Sequence, residues 1–544
     1  MFTASKFILL GVCCVTITTS SFAQKNSSEK NVTVAAKSEN INAVSSSKKY
    51  NVLFIAVDDL KPYIGAFGDK IAKTPNLDLL AKQSMIFTNA HTQQAVCGPS
   101  RASLLTGLRP DKTRVWDLQT LIRDKNPEIV TLPQFFKTNG YQTIGMGKIF
   151  DPRSVDKESD TLSWSVPYKK RFPLAAGYED LAFESYQSAD IKLKEKSGAK
   201  MGAGDEAKSE VKISSEMLDV PDDAYMDGAM ANYAVKQLVQ KKGSLAPFFM
   251  AVGFKKPHLP FVAPKKYWDL YDRNKFPLAE WQKKSVNGPD IAYHNAGELR
   301  SFIDITPLGN APQNDLLILP PEKQKELIHA YYACISYLDA QVGKLMLALK
   351  ENGLDKNTIV VLWGDHGWHF GDHSLWAKHS NFEQATHVPM MFMVPGITSG
   401  KANANPVEFV DIFPTLADLN GLPVASYLDG VSLVPALNDN NLKIKDFAIS
   451  QYPRGAGKGA REFMGYSLRN NQYRFTEWVG NFFNTAKPFN ANDVKAVELY
   501  DLKNDPNETK NIAADPKLKN IVEGLTKQLH NYYEKQYKTA GRIK

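Results

Sequence analysis

Cys97 is the residue whose type and neighbours most clearly suggest chemistry. It opens the segment Cys97-Gly98-Pro99-Ser100-Arg101, and the stretch that follows ends at Gly107. Pro99 suits the first turn of a helix and Gly107 suits its end. We therefore expect Cys97 at a helix N-terminus, where free N–H groups favour an anion. Arg101 could brace this nucleophile or pair with the oxygens of the anion. A structural cysteine beside a turn is the local alternative.

Two acidic pairs suggest a cation site. Asp58-Asp59 and Asp365-His366 each follow an apolar run that reads as a buried strand. One such pair alone would be read as a helix cap or a turn. Two pairs at one sheet edge would repel each other, and a bound divalent cation relieves that repulsion. Carboxylate oxygens suit Ca²⁺, with Mg²⁺ as the alternative.

The elements that must position these residues read as strands alternating with helices. Four continuous apolar runs predict strands buried on both faces, at 51–57, 247–252, 358–363 and 389–394. Helical patterns lie between them, including a long one over about 322–349. We therefore expect an α/β fold with a large, mostly parallel sheet. Functional residues of such sheets gather beyond the C-terminal ends of the strands, where His258 also lies.

The chain divides into predicted regions. Residues 1–23 have the lysine, apolar run and Ser21-Phe22-Ala23 cleavage site of a signal peptide, and no other run could span a bilayer. Residues 24–48 are predicted to be a disordered linker. We expect a catalytic domain over 49–440 and a small antiparallel C-terminal subdomain, closed by a helix, over 441–544. The polar segment 152–220 is predicted to be an insertion over the sheet rather than core.

Cysteine content and charge narrow the compartment and the partners. After removal of the signal peptide only Cys97 and Cys334 remain, and Cys334 reads as a buried helix residue. An exported chain without a disulfide framework indicates a bacterial periplasmic or secreted protein. The net charge of +8 is modest for 544 residues. No basic patch with interleaved aromatic residues is present, so nucleic acid is excluded as a partner.

The segment Cys97-Gly98-Pro99-Ser100-Arg101, extended by Leu104-Leu105-Thr106-Gly107, resembles the signature of the formylglycine-dependent (type I) sulfatases. Nearly the whole mature chain is similar to that family, and most similar to its iduronate-2-sulfatase branch. The matching segments are 57–62, 93–97, 256–261, 365–368, 376–382, 385–389, 464–467 and 473–480. The resemblance implies an alkaline-phosphatase-like sulfatase fold. It also implies that a formylglycine-generating or anaerobic sulfatase-maturating enzyme oxidises Cys97 to formylglycine (3-oxoalanine).

The resemblance assigns further roles residue by residue. It implies a Ca²⁺ site formed by Asp58, Asp59, Asp365, His366 and the formylglycine at position 97. Lys148 and Lys378 would hold the sulfate oxygens, Arg101 would support the formylglycine, and His258 would protonate the leaving sugar oxygen. These roles agree with the chemistry, because cations fixed in a dry cleft stabilise the charge of sulfuryl transfer.

Asp151 departs from the family pattern, which has a histidine at this position. The chain reads Gly147-Lys148-Ile149-Phe150-Asp151. Asp151 could be the base that triggers sulfate release, because a carboxylate can accept the same proton. Alternatively it is a structural turn residue before Pro152 and another histidine acts. Trp368 is predicted to contact the sugar.

These observations predict an exported sulfatase that hydrolyses sulfate esters of a sulfated glycan. The resemblance suggests a uronate-containing polysaccharide or its oligosaccharides, such as the algal polysaccharide ulvan or a host glycosaminoglycan. A phosphatase or phosphodiesterase of the same superfold is the enzymatic alternative, although it would normally use Ser or Thr and two zinc ions. A non-catalytic glycan-binding relative is the third hypothesis, and the intact set of Cys97, Arg101, Lys148, His258 and Lys378 argues against it.

Overall fold

A computed structural model describes residues 49–178, 186–191, 212–310, 312, 314–455, 462–480 and 489–540. The predicted signal peptide and the whole predicted linker lie outside these residues. Residues 47–544 group as one compact unit, so the predicted division at 440/441 stays a prediction. Among the described residues, no helix has both the length and the apolar character needed to cross a bilayer.

The β-strands of the described residues are β1 (Asn51–Val57), β2 (Met85–His91), β3 (Gln142–Gly147), β4 (Ser215–Leu218), β5 (Phe248–Phe254), β6 (Phe261–Pro264), β7 (Thr358–Gly364), β8 (His369–Phe370), β9 (Trp376–Ala377), β10 (His387–Met393), β11 (Lys401–Asn403), β12 (Val407–Glu408), β13 (Ala448–Arg454), β14 (Phe463–Arg469), β15 (Tyr473–Gly480) and β16 (Val494–Asp501).

The α-helices of the described residues are α1 (Pro75–Ala81), α2 (Cys97–Thr106), α3 (Pro110–Thr113), α4 (Ile122–Lys125), α5 (Leu132–Thr138), α6 (Met226–Val239), α7 (Lys265–Trp268), α8 (Pro321–Glu351), α9 (Glu383–Thr386), α10 (Ile412–Leu419), α11 (Val434–Asn438) and α12 (Lys519–Ala540).

The main sheet has eight strands in the order β11-β2-β10-β7-β1-β5-β3, with β12 also paired to β2. Strand β1 is an interior strand and runs parallel to both of its neighbours, β5 and β7. Strand β10 runs antiparallel to its neighbours β7 and β2. The predicted α/β fold with a large, mostly parallel sheet is confirmed, and the apolar run at 389–394 supplies its antiparallel strand.

The central strands are apolar throughout because each of their faces meets a separate core. Leu53, Ile55 and Val57 of β1 pack into one hydrophobic cluster, and Val52 and Phe54 pack into the other. Alternate residues of a strand point to opposite faces, so this division follows from the period of two. Helices cover both faces of the sheet. Because β1, β5 and β7 are parallel, their C-terminal ends lie at one edge.

The segment 152–220 is partly core, contrary to the expectation that it only covers the sheet. Trp164 and Tyr168 are buried in the cluster that includes Ile149 and Phe150. The hydroxyl of Tyr168 donates to Gly147 O at 2.9 Å and accepts from Ile149 N at 3.2 Å. Isolated aromatic residues in a polar segment thus support the turn that carries Lys148.

A second sheet near the C-terminus has the antiparallel order β13-β14-β15-β16, as predicted. Helix α12 covers it, with Leu525, Leu529 and Tyr533 packed against Phe475 and neighbouring residues of the sheet. Strand β13 is joined to the main sheet region through a hydrogen bond from Gln451 N to Gln93 O at 2.7 Å. This sheet therefore borders the segment that leads into Cys97.

Candidate active site

The acidic pairs come together because their strands are neighbours. Asp58 N donates to Phe254 O at 3.1 Å, and Asp365 N donates to Val57 O at 3.0 Å, so the ladder continues just past the strands. Asp59 N then donates to Asp365 Oδ1 at 2.9 Å. Asp59 has a left-handed backbone with φ of 59°, which turns the chain away from the sheet. The structure thus places both pairs at one sheet edge.

Helix α2 brings Cys97 to this edge as its first residue. Cys97 Sγ lies 3.3 Å from His366 Nε2. One donor atom each of Asp58, Asp59, Cys97 and His366 lies within 4.8 Å of the others. Burial and the Asp58 charge raise the pKa of the Cys97 thiol well above its ordinary value.

These residues fit a divalent cation. Asp365 Oδ1 lies 3.6 Å from His366 Nε2, so a third carboxylate adjoins the cluster. Burial would raise the pKa of Asp58, but the positive charges of Lys148, His258 and Arg101 hold it well below its ordinary value. Buried carboxylates with one imidazole form a donor set that a hard cation accepts.

Arg101 is fully buried and braces this cluster. Its Nε donates to Asp365 Oδ2 at 2.8 Å, and its Nη2 donates to Asp58 Oδ1 at 3.2 Å. Its Nη1 donates to the carbonyl groups of Lys148 and Ile149. Of the two roles expected for Arg101, these contacts favour bracing over direct contact with an anion.

Lys148 and Lys378 approach the acidic cluster from two sides. Lys148 Nζ donates to Asp58 Oδ2 at 2.5 Å, and Lys378 Nζ donates to Asp59 Oδ1 at 3.0 Å. Although burial opposes it, the charge of Asp58 raises the pKa of Lys148, and that of Asp59 raises the pKa of Lys378. Both side chains therefore stay cationic beside Cys97.

His258 faces the cluster from the loop after β5. Its Nε2 lies 4.0 Å from Asp59 Oδ2 and 3.3 Å from Glu298 Oε1, and its Nδ1 contacts the carbonyl oxygen of Leu259. Burial would lower the pKa of His258, but the charge of Asp59 raises it. Carbonyl and carboxylate oxygens accept, so these contacts favour an N–H on each ring nitrogen.

Glu298 is a site residue that sequence reasoning missed. Its Oε1 lies 2.9 Å from Lys378 Nζ, and its Oε2 lies 3.9 Å from His379 Nε2. Burial would raise its pKa, but Lys378 and His258 hold that pKa well below the ordinary value. Glu298 belongs to an irregular segment with no motif, so nothing in the sequence pattern marks it.

Asp151 is fully buried and is held by Arg153. Nε of Arg153 donates to Oδ1 at 2.9 Å, Nη2 donates to Oδ2 at 2.8 Å, and the backbone N donates to Oδ1 at 3.0 Å. Burial would raise the pKa of Asp151, but these bonds and the Lys148 charge lower it to about 2. Such a carboxylate is a weak base, so the structure favours the structural interpretation of Asp151 over the catalytic one.

Trp368 lies beneath Lys378 rather than at the surface. Its ring is 0% exposed, packs edge-on against Phe261, and lies 5.3 Å from Lys378 Nζ. The structure leaves no open ring face for the sugar contact predicted for Trp368. A buried aromatic face instead supports the lysine through a cation–π contact.

Comparison with known proteins identifies the family of the chain. The sulfatase family model matches residues 50–422, and the model of the N-sulphoglucosamine sulphohydrolase C-terminal region matches residues 371–535. Human iduronate 2-sulfatase is 35% identical over 89% of this chain and 94% of its own length. A sulfatase of Formosa agariphila is 30% identical over 95% of this chain and 90% of its own length. The solved structure of a 2-O GAG sulfatase shares the fold, with a TM-score of 0.62 at 22% identity, covering 90% of this chain and 93% of that one.

The fold and the site define a hydrolase of the alkaline-phosphatase-like sulfatase type. The chain belongs to the sulfatase family, and it is a sulfuric ester hydrolase. The predicted similarity to iduronate-2-sulfatase is confirmed.

Proposed function

We propose that this chain is an exported sulfatase that removes sulfate from a uronate-containing glycan, using a formylglycine made from Cys97. The observation that carries the proposal is the position of Cys97. It lies 3.3 Å from His366 in a cluster with Asp58 and Asp59, beside two buried lysines. A disulfide-forming or purely structural cysteine has no need of this surrounding charge.

In the first step the hydrated aldehyde at position 97 supplies the nucleophile. One of its two hydroxyl oxygens releases its proton to water and attacks sulfur, and the bond from sulfur to the sugar oxygen breaks. His258 gives its proton to the departing sugar oxygen. Lys148 and Lys378 bind the sulfate oxygens, where negative charge is spread in the transition state.

A divalent cation, for which we propose Ca²⁺ with Mg²⁺ as the alternative, would be held by Asp58, Asp59, Asp365 and His366. It would supply positive charge next to the sulfate oxygens and the hydrated aldehyde. Arg101 contributes indirectly, because it fixes Asp365 and Asp58 in one orientation.

In the second step the remaining hydroxyl of residue 97 loses its proton to His258, which gave up its own proton in the first step. The aldehyde re-forms as the bond from that carbon to the sulfate oxygen breaks, and sulfate leaves. The low pKa of Asp151 argues that its carboxylate does not take this proton.

The name of one relative supports the proposed substrate class. The human relative is named for a sulfate at position 2 of iduronate. We therefore propose a 2-O-sulfated uronate, within an algal polysaccharide such as ulvan or a glycosaminoglycan. Residues 1–23 are the proposed signal peptide for export. The proposed maturation partner is a formylglycine-generating or anaerobic sulfatase-maturating enzyme.

The test is sulfate release from a panel of defined oligosaccharides sulfated at single positions. The matured enzyme should release sulfate from 2-O-sulfated uronates, and the Cys97→Ala variant should release none. A Cys334→Ala variant is the matched control, because Cys334 is also a buried free cysteine, and its Sγ contacts the Val262 carbonyl oxygen rather than the acidic cluster. Activity only toward phosphate esters would overturn the proposal.

A further inference from the structure

Arg153 is an arginine that neither the family motif nor the reaction accounts for. Asp151 grips it through two parallel hydrogen bonds, from Nε and Nη2, and through its backbone N. The Asp151 carboxylate is fully buried, whereas the Arg153 side chain is 52% exposed. The buried acid thus holds one edge of the guanidinium and leaves its other N–H groups facing outward.

The same carboxylate ties Arg153 to the sulfate-binding side of the site. Asp151 Oδ2 accepts from Arg153 Nη2 at 2.8 Å and lies 3.8 Å from Lys148 Nζ. The guanidinium and the ammonium therefore flank one oxygen atom. Although burial opposes it, the hydrogen bonds and the charge of Asp151 raise the pKa of Arg153, so the guanidinium stays cationic.

We propose that Arg153 is a specificity-determining residue that binds the carboxylate of the uronate whose sulfate is removed. A guanidinium suits this task because its planar fork matches a carboxylate. Among the described residues, Asp151 is the side chain to which Arg153 donates, so Nη1 and one hydrogen of Nη2 remain for a ligand.

The spacing also suits this substrate. A 2-O-sulfated uronate carries two anionic groups on one sugar ring, at C2 and C5, and Lys148 and Arg153 are two cations held near one carboxylate oxygen, at 3.8 Å and 2.8 Å. Asp151 is then a positioning residue for Arg153. This inference rests on the proposed sulfatase function and adds the group that selects the sugar.

The test compares two substrates and three enzymes. The substrates are a 2-O-sulfated uronate disaccharide and the same disaccharide with its carboxyl group reduced to an alcohol. The wild type should prefer the carboxylate by about 10-fold to 100-fold in kcat/KM, the range expected for charge-assisted hydrogen bonds. Arg153→Ala should lose this preference through a higher KM, and Arg153→Lys should retain part of it because the fork is lost but the charge remains.

Controls separate specificity from folding. A cooperative thermal unfolding transition of Arg153→Ala, together with measurable sulfate release from the reduced disaccharide, shows that the variant is folded. Arg123→Ala is the matched variant, since Arg123 grips the buried Asp160 through the same two nitrogens. It should keep the preference for the carboxylate.

Failure of the proposed function and failure of the Arg153 proposal give different results. A wild type that carries formylglycine and releases no sulfate from either disaccharide would overturn the proposed function. Sulfate release with an unchanged preference in Arg153→Ala would overturn the role of Arg153 alone. A third outcome concerns the reduced disaccharide with a second sulfate added. If Arg153→Ala raises KM only for that substrate, Arg153 binds a sulfate rather than the carboxylate, and the assignment is overturned.

Discussion

Lys378 Nζ lies 2.9 Å from Oε1 of Glu298, so an acid contacts a lysine that is proposed to bind sulfate. The same Oε1 lies 3.3 Å from Nε2 of His258. A carboxylate in an anion-binding site repels the substrate, so its presence there needs another explanation. We interpret Glu298 as the group that orients the acid His258 relative to Lys378.

Glu298→Gln should slow hydrolysis of sugar sulfates more than that of aryl sulfates. A sugar alkoxide needs a proton as it leaves, whereas an acidic phenol does not, and a placed general acid is worth about 100-fold or more. We expect kcat for a sulfated disaccharide to fall by about 10-fold while kcat for an aryl sulfate changes little. Glu326→Gln is the control, because Glu326 is similarly exposed and paired with a lysine. Equal losses on both substrates would contradict this role.

Asp151→Asn should raise KM without trapping a covalent intermediate. An amide keeps the shape but loses the charge that grips Arg153, so the guanidinium becomes less ordered. The measurement is steady-state kinetics on the carboxylate-bearing disaccharide, together with the intact mass of the enzyme during turnover. A sulfated enzyme that accumulates during turnover would instead identify Asp151 as the base for sulfate release.

Removal of the cation should lower the thermal unfolding temperature of the wild type. A ligand present at 100 times its Kd stabilises a fold by about 2.7 kcal/mol, which chelation would remove. Asp59→Asn should show a smaller change on chelation, because it loses one donor while Asn still accepts the left-handed backbone at φ of 59°. Unfolding temperatures that do not respond to a chelator in either protein would contradict a bound cation.

Glu477 should make stability fall as pH rises. It is buried between β15 and α12, and burial raises its pKa to about 7. A raised pKa means that the folded state binds the proton more tightly than the unfolded chain. The associated stability is therefore present below the unfolded pKa of a glutamate and is lost as pH rises through about 7.

Glu477→Gln should remove this pH dependence, which amounts to up to about 3 kcal/mol in the free energy of unfolding. A positive charge on the nearby His530 would make the effect smaller, because it stabilises the ionised carboxylate. Urea unfolding at pH 5 and pH 8 measures it. The wild type should lose more free energy of unfolding between these values than Glu477→Gln. Equal losses of unfolding free energy in the two proteins would show that a group other than Glu477 titrates.

The strand ends were predictable from the sequence because a strand buried on both faces must be apolar throughout. The runs before Asp58 and Asp365 have that property, and parallel neighbours then bring their ends together. The helix at Cys97 was predictable for a similarly local reason, since Gly107 ends it with φ of 67°.

Strand direction and the long-range contacts of loops were not predictable in this way. The run at 389–394 has the same apolar character as β1, and its direction depends on the connection from β7 rather than on composition. Glu298 and Arg153 lie in irregular segments, where no periodicity indicates what a side chain faces. The contact between Glu298 and Lys378 joins positions 80 residues apart.

The most direct test is mass spectrometry of the peptide that contains residue 97, measured together with the rate of sulfate release. Preparations made with and without a maturation enzyme would supply different fractions of formylglycine. We predict that the rate is proportional to the formylglycine fraction and vanishes in Cys97→Ala. Full turnover by enzyme that carries only unmodified cysteine at position 97 would contradict the account.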